Sequence, residues 1–211
     1  MILAEAVQSD GGFAMQMLVI LVTAGLTENI LLTRFLGMCP FLSVSRELRS
    51  AAGMGLAVVF VTTGTCFLNS VLYWYVLKPL AAYHVPIESL KLILFIVVIA
   101  AFVQLMEMLI ERISIGLYFA LGIFLPLITV NCAILGASLF MVNKQYGPAA
   151  SLFYGLGAGG GWMLAIVLMA GIRHRLAKAK IPAGLEGPGI TLVIAGIMAM
   201  AFIIFQGMVK V

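Results

Sequence analysis

Leu92-Ile93-Leu94-Phe95-Ile96-Val97-Val98-Ile99 is apolar at every position. A strand of an outer-membrane barrel alternates lipid-facing and lumen-facing residues over roughly ten positions, so an unbroken run of this kind belongs to a helix. It lies in a window from Leu90 to about Ile110, close to the ~20 residues a helix needs to cross a hydrocarbon core of about 30 Å. Five further windows flank it: one from Phe13 through Leu26, then Ala51 to Leu77, Gly116 to about Val142, Ala149 to Ile172, and Gly189 to Val209. The expected fold is therefore an all-α membrane protein with six transmembrane helices in one integral membrane domain. Composition points the same way, since 64% hydrophobic and 9% charged residues, with a mean hydropathy of +1.19, leave too few ionic groups to coat a water-facing surface. Three cysteines in 211 residues exclude a disulfide scaffold.

The net charge of +4 is clustered and reports orientation rather than nucleic-acid binding. The first dozen residues carry Glu5 and Asp10 and no Lys or Arg, unlike a cleaved leader, so the first window counts as a span. With the N-terminus outside, Arg34, Arg46, Arg49, Arg112, Arg173, Arg175, Lys178 and Lys180 face the cytoplasm, and Lys78, Lys91, Lys144 and Lys210 face the other side. That eight-to-four ratio predicts a multi-pass protein with its N-terminus outside. The stretch from Arg173 to Pro188 reads as a basic cytoplasmic loop beside anionic lipid, and His84 and His174 both fall in loops.

Two spans are interrupted. Glu28, Asn29, Gly37 and Pro40 break the first, and Pro126 with Asn131 breaks the fourth. Each carries one cysteine among apolar residues: Phe35-Leu36-Gly37-Met38-Cys39-Pro40-Phe41-Leu42-Ser43 and Ile128-Thr129-Val130-Asn131-Cys132-Ala133-Ile134-Leu135-Gly136. These are the first spans of two three-span halves, about 13–111 and about 115–210, which suggests a 3+3 inverted repeat with the first helix of each repeat broken near the midplane. Freed backbone groups at that depth have no water to bond, and such breaks persist where protein or a site uses them. The inversion brings Cys39 and Cys132 toward one another near the middle of the membrane. Two readings of the residues stand open: half of an iron–sulfur ligand set, which needs four thiolates and so a partner supplying two more, or incidental buried thiols. Cys66, in the uninterrupted second span between Thr65 and Phe67, reads as packing.

The segments Phe35 to Leu42 and Gly122-Ile123-Phe124-Leu125-Pro126-Leu127-Ile128-Thr129-Val130-Asn131-Cys132-Ala133-Ile134 resemble the signatures of a family of redox membrane proteins. It contains the E subunit of the Na⁺-translocating NADH:quinone oxidoreductase (Nqr) and the A subunit of the Rnf ferredoxin:NAD⁺ oxidoreductase. Val103 to Met108, Gly160 to Ala165, and Gly189-Ile190-Thr191 with Gly196 match as well. Leu77-Lys78-Pro79, Gly161 to Val167 and Thr129-Val130-Asn131 lie closer to the Nqr branch, whereas Pro40 and the N-terminal extension depart from it. The resemblance implies six helices in a 3+3 inverted repeat in the bacterial cytoplasmic (inner) membrane, and a homologous partner, the D subunit, of opposite topology. It further implies a [2Fe–2S] cluster held by two cysteines from each of the two chains, here Cys39 and Cys132 but not Cys66. Flavins, NADH and quinone would sit on the remaining A, B, C and F subunits of Nqr, and electron transfer would accompany Na⁺ export. This chain would then be one component of a translocase, with no catalysis on its own; the alternatives are the A subunit of an Rnf-type complex or a secondary transporter with incidental cysteines.

Glu107 and Glu111 lie one helical turn apart on a single face, with Gln104 and Arg112 nearby. Intramembrane carboxylates are candidates for an ion path, because Na⁺ takes hard oxygen ligands; the plainer reading is a solvated helix end. Glu28 has the same ambiguity, bonding the end of the first half-helix or pairing with Arg34. Gly155, Gly157, Gly159, Gly160 and Gly161 are not followed by a lysine, so they read as close helix packing at Gly155/Gly159 and Gly157/Gly161 rather than a nucleotide loop.

Overall fold

Residues 12–80, 87–113, 125–177 and 187–208 are described by the structure, a computed structural model, and all regular elements among them are helical. In chain order these are α1 (Phe13–Val22), α2 (Met38–Val44), α3 (Leu48–Leu72), α4 (Ile87–Ile113), α5 (Leu125–Thr129), α6 (Cys132–Asn143), α7 (Pro148–Leu176) and α8 (Pro188–Met208). A π-helical turn, Thr23–Thr27, extends α1, and another, Tyr73–Leu77, extends α3 and leads into a last helical turn, Lys78–Leu80. Leu48–Leu77, Leu90–Leu109 and Pro148–Leu176 are long and apolar enough to cross a membrane. Phe13–Thr27, Leu127–Asn143 and Pro188–Ile204 form shorter apolar helices. The interrupted windows are those expected to break. The chain turns at 28–37 between α1 and α2, and at Val130–Asn131 between α5 and α6. Pro40 lies inside α2 and Pro126 inside α5, each in the first turn where a missing N–H costs nothing, so neither proline makes its break; the approach to Pro126, 114–124, lies outside the described residues.

Helix ends follow from local chemistry. Pro148 opens α7, where a missing N–H costs nothing, behind the N-cap Gly147. Its last turn carries Arg173, His174 and Arg175, cations that suit the negative end of a helix dipole. The basic stretch expected as a loop from Arg173 is thus helical to Leu176, and His174 belongs to that helix; favourable terminal charge lets the helix run past the apolar window. His84, Lys178 and Lys180 lie outside the described residues.

Helices without a water-driven preference for each other associate by close backbone packing, and glycine sets how close. A Cβ on Gly155 would meet Thr63 Cα at 2.9 Å and one on Gly159 would meet Val59 Cα at 2.8 Å, while Gly55 abuts Met163, so α3 and α7 pack antiparallel. The opposite stripe serves α1: Gly157 abuts the Leu21 carbonyl and Gly161 the Gly25 backbone, a parallel pairing. Both small-residue pairs read from sequence are packing surfaces. Gly160 has nothing within 4 Å of its Cβ position, which supplies a control. Gly161→Val is expected to destabilise the protein by about 3 kcal/mol, since rigid backbone opposes the added atoms; Gly160→Val should leave it intact. Detergent size-exclusion profiles against temperature check both.

Polar side chains buried between helices find one another. Asn69 Nδ2 donates to Ser138 Oγ at 3.0 Å, and Ser151 Oγ donates to Ser70 Oγ at 3.0 Å. Trp74 Nε1 donates to the Tyr146 carbonyl at 3.0 Å. These bonds pin α3 to α6 and α7 toward the end of the bundle that carries Lys144. At the opposite end, Arg173 donates to the Leu42 carbonyl at 3.1 Å and Ser45 Oγ at 2.8 Å, capping α2.

Candidate metal centre

Asn29 organises the first break. Its wholly buried side chain donates Nδ2 to the Gly161 carbonyl at 2.8 Å and to the Gly25 carbonyl at 3.2 Å. Its Oδ1 accepts from the Leu31 and Leu32 amides at 3.1 and 3.3 Å. One amide thus satisfies backbone groups at the end of the π turn, across on α7, and at the start of the following turn, in a setting where each unmet group costs about 1–3 kcal/mol. The chain then reverses through two left-handed residues, Phe35 at φ 54° and Gly37 at φ 82°. A bulky residue there is strained, and such strain gathers at functional sites.

The second break is capped by Asn131. Its Oδ1 accepts from the Ala133 amide at 3.0 Å, so it satisfies a freed N–H at the start of α6. Cys132 is the first residue of α6 and Cys39 the second of α2, so each cysteine lies in the first turn after a break. The two breaks meet: the Gly37 N–H donates to Cys132 Sγ at 2.9 Å, two residues from Cys39. Both thiols are exposed on the isolated chain, together with Phe35 and Val130, whereas Cys66 is fully buried between α3 and α7.

Depth follows from α7. A Cβ on Gly37 would meet Trp162 Nε1 at 2.6 Å and Asn131 Oδ1 at 2.9 Å. Trp162 is the central residue of the 29-residue α7, about 21 Å from each end at 1.5 Å per residue. The cysteine-bearing turns therefore sit halfway along the longest helix. Two buried donors there, Asn131 Nδ2 and Trp162 Nε1, have no hydrogen-bond partner. Two exposed thiols, an N–H already on one sulfur, and unmet donors rather than acceptors suit a centre with negatively charged sulfur ligands. Among the described residues no three His, Cys, Asp or Glu groups gather around a metal-sized site. The residues fit half a ligand set.

The carboxylates part company. Glu28 forms an ion pair with Lys144. Arg34, its expected partner, instead places its guanidinium 4.3 Å from the centre of the Phe140 ring. Chain reversal after Asn29 carries Arg34 alongside α6, and Lys144, 116 residues from Glu28, arrives from the end of that helix. Tyr146 and Tyr154 flank the ammonium at 5.9 and 5.6 Å. Burial, reinforced by the Glu28 carboxylate, raises the Tyr146 hydroxyl above its ordinary pKa and keeps it neutral. Glu107 is half-buried near the end of α4, whereas Glu111 and Arg112 are exposed. Among the described residues nothing joins Glu107 to the cysteine turns.

Trp162 was missed as a site residue in the sequence, although a buried indole N–H ordinarily requires an acceptor and none is evident in Gly160-Gly161-Trp162.

An all-helical arrangement of apolar helices, with two cysteine-bearing breaks joined where the Gly37 N–H meets Cys132 Sγ, fits an integral membrane protein. The chain belongs to the Rnf-Nqr family of membrane proteins, whose model matches residues 17–209. It is 49% identical over 191 residues to the E subunit of the Na(+)-translocating NADH-quinone reductase of Nitrosomonas europaea, covering 88% of this chain and 95% of that one. To the E subunit of Dichelobacter nodosus it is 52% identical over 186 residues, 85% and 92% of the two chains. To that of Marinobacter nauticus it is 49% identical over 193 residues, 89% and 96%. All three relatives are E subunits by name, the branch that the sequence resemblance favoured.

Proposed function

We propose that this chain is an E-type membrane component of a Na⁺-translocating NADH:quinone reductase, in which Cys39 and Cys132 supply half the ligands of a [2Fe–2S] cluster shared with a homologous partner. The observation that carries this reading is the Gly37 N–H bonded to Cys132 Sγ, which joins the two cysteine-bearing breaks halfway along α7. Six spans in a 3+3 inverted repeat account for two breaks of the same kind, each followed by a cysteine, and for an antiparallel α3/α7 pair. The repeat relation would give the partner, the D subunit, an equivalent pair of thiols on an opposed topology. Arg46, Arg49, Arg173 and Arg175 gather at one end of the bundle and Lys78 and Lys144 at the other, which supports a cytoplasmic-membrane protein with its N-terminus outside; Arg34, expected with the first group, lies instead against Phe140, toward the Lys144 end.

When bound, a cluster supplies one-electron chemistry midway through the bilayer, dividing one crossing of ~30 Å into two of about 15 Å. The chain's own part is to hold and shield. Asn29 and Asn131 fix the two turns, Arg173 caps the short helix carrying Cys39, and Phe41, Ile128 and Ile134, all buried, exclude water. The exposed faces of Cys39 and Cys132 are where the partner's ligands would complete the set.

The test is iron content, visible absorbance and the paramagnetic signal of the dithionite-reduced complex purified with its partner subunits; a complex without iron sinks the reading. A Na⁺ path along α4 is the second part of the proposal. Glu107→Gln is expected to raise the Na⁺ concentration for half-maximal quinone reduction by about tenfold, the loss of roughly one charged ligand contact, while Glu111→Gln at the exposed end should leave it unchanged. Steady-state rates titrated with NaCl check this, and equal behaviour of the two variants removes Glu107 from the path.

A further inference from the structure

Two buried hydrogen-bond donors stand idle beside the pair of cysteine turns. Trp162 Nε1 and Asn131 Nδ2 are shielded from solvent and unpartnered, in residues 0% and 4% exposed. Nothing forces this on Asn131, whose capping work is done by its other atom, Oδ1 on the Ala133 amide. Both residues crowd the same point: the place a Cβ would take on Gly37 lies 2.6 Å from the indole nitrogen and 2.9 Å from Asn131 Oδ1, on the same amide as the idle Nδ2. Glycine at 37 is what admits them. The same residue's N–H is already spent on Cys132 Sγ. Unmet donors at low dielectric repel cations and welcome negative charge. The second tryptophan shows the contrast, since Trp74 Nε1 has the Tyr146 carbonyl as acceptor.

From this we infer that Trp162 and Asn131 are tuning residues, whose N–H groups are held in reserve around Gly37 and Cys132 for the sulfur-borne charge that grows when an iron–sulfur centre is reduced. The inference rests on the proposed cluster and adds to it the residues that set its potential. Their effect acts through the Gly37–Cys132 contact and favours the reduced, more negative state over the oxidised one.

The test uses the purified multisubunit complex. Trp162→Phe removes the N–H and keeps a ring; Asn131→Ser removes Nδ2 and keeps an oxygen to cap Ala133. At the ambient potential where the wild-type signal is half reduced, each variant is expected to lower the reduced-to-oxidised ratio about three- to tenfold, the worth of one net hydrogen bond, with iron content unchanged. Trp74→Phe, far from the centre, should give no shift. In that Trp74→Phe background the one indole left in this chain, Trp162, should move its N–H Raman band toward the bonded position when iron is restored to depleted complex. Unshifted potentials in both variants with full iron, or a Trp162 band already bonded without iron, overturn the inference while leaving the cluster in place. Absence of any iron signal in the wild type overturns the cluster reading itself. Should Trp162→Phe fail to assemble, Asn131→Ser and the Raman band decide.

Discussion

Cys39→Ala and Cys132→Ala are each expected to abolish the iron-dependent absorbance and paramagnetic signal of the complex and to cut quinone reduction by NADH about 100-fold or more, the scale expected when a metal ligand rather than its supporting shell is lost. Cys66→Ala should keep both. The contrast comes from placement, not residue type. Cys39 and Cys132 open onto the surface in the first turns after the two breaks, whereas Cys66 is enclosed by α3 and α7 with the Gly155 Cβ position 3.1 Å away. Iron analysis and NADH oxidation, both normalised to assembled complex, measure the effect. Equal tolerance of all three substitutions removes the thiols from function and leaves a solute-transporting helical bundle as the better description.

Gly37→Ala should be nearly as damaging without touching a sulfur. The left-handed φ of 82° costs an alanine about 1–2 kcal/mol. Its methyl group would also have to displace the buried Trp162 indole at 2.6 Å and Asn131 at 2.9 Å, adding about 1–3 kcal/mol. A total near ~3 kcal/mol would shift the Gly37 amide off Cys132. The expected result is assembled but iron-poor complex with markedly lower thermal stability, read by iron content and by aggregation temperature. Full iron loading at normal stability would show that the two turns are not locked together through this residue.

The fold was legible where physics is local. Eight consecutive apolar residues in Leu92–Ile99, inside a window of about twenty, mark a membrane helix, and Glu28-Asn29 and Asn131 marked the breaks because polar residues at that depth must bond freed backbone. The glycine pairs of α7 were legible because their four-residue spacing stripes a helix. Contacts between distant residues were not. Glu28 pairs with Lys144 rather than Arg34, because the reversal after Asn29 is set by where α6 lies, which no neighbouring residue encodes. Trp162 went unremarked because an aromatic in an apolar span normally means packing; only the approach of Gly37 turns its N–H into a chemical group that needs an answer. The end of α7 was placed too early because hydropathy measures hydrocarbon, while a helix stops where its terminal carbonyls lose partners, here beyond Arg175.

Asn29 is a neutral amide, and that has a consequence for a protein in an energised membrane. An electric field does work only on charge, about 2.3 kcal/mol per elementary charge moved across 100 mV. The hub that clasps Gly25, Gly161, Leu31 and Leu32 carries none and takes up no protons at any physiological acidity. The kink should therefore keep one shape whether the membrane is polarised or collapsed, so that voltage can bear on mobile charge but not on this neutral hub.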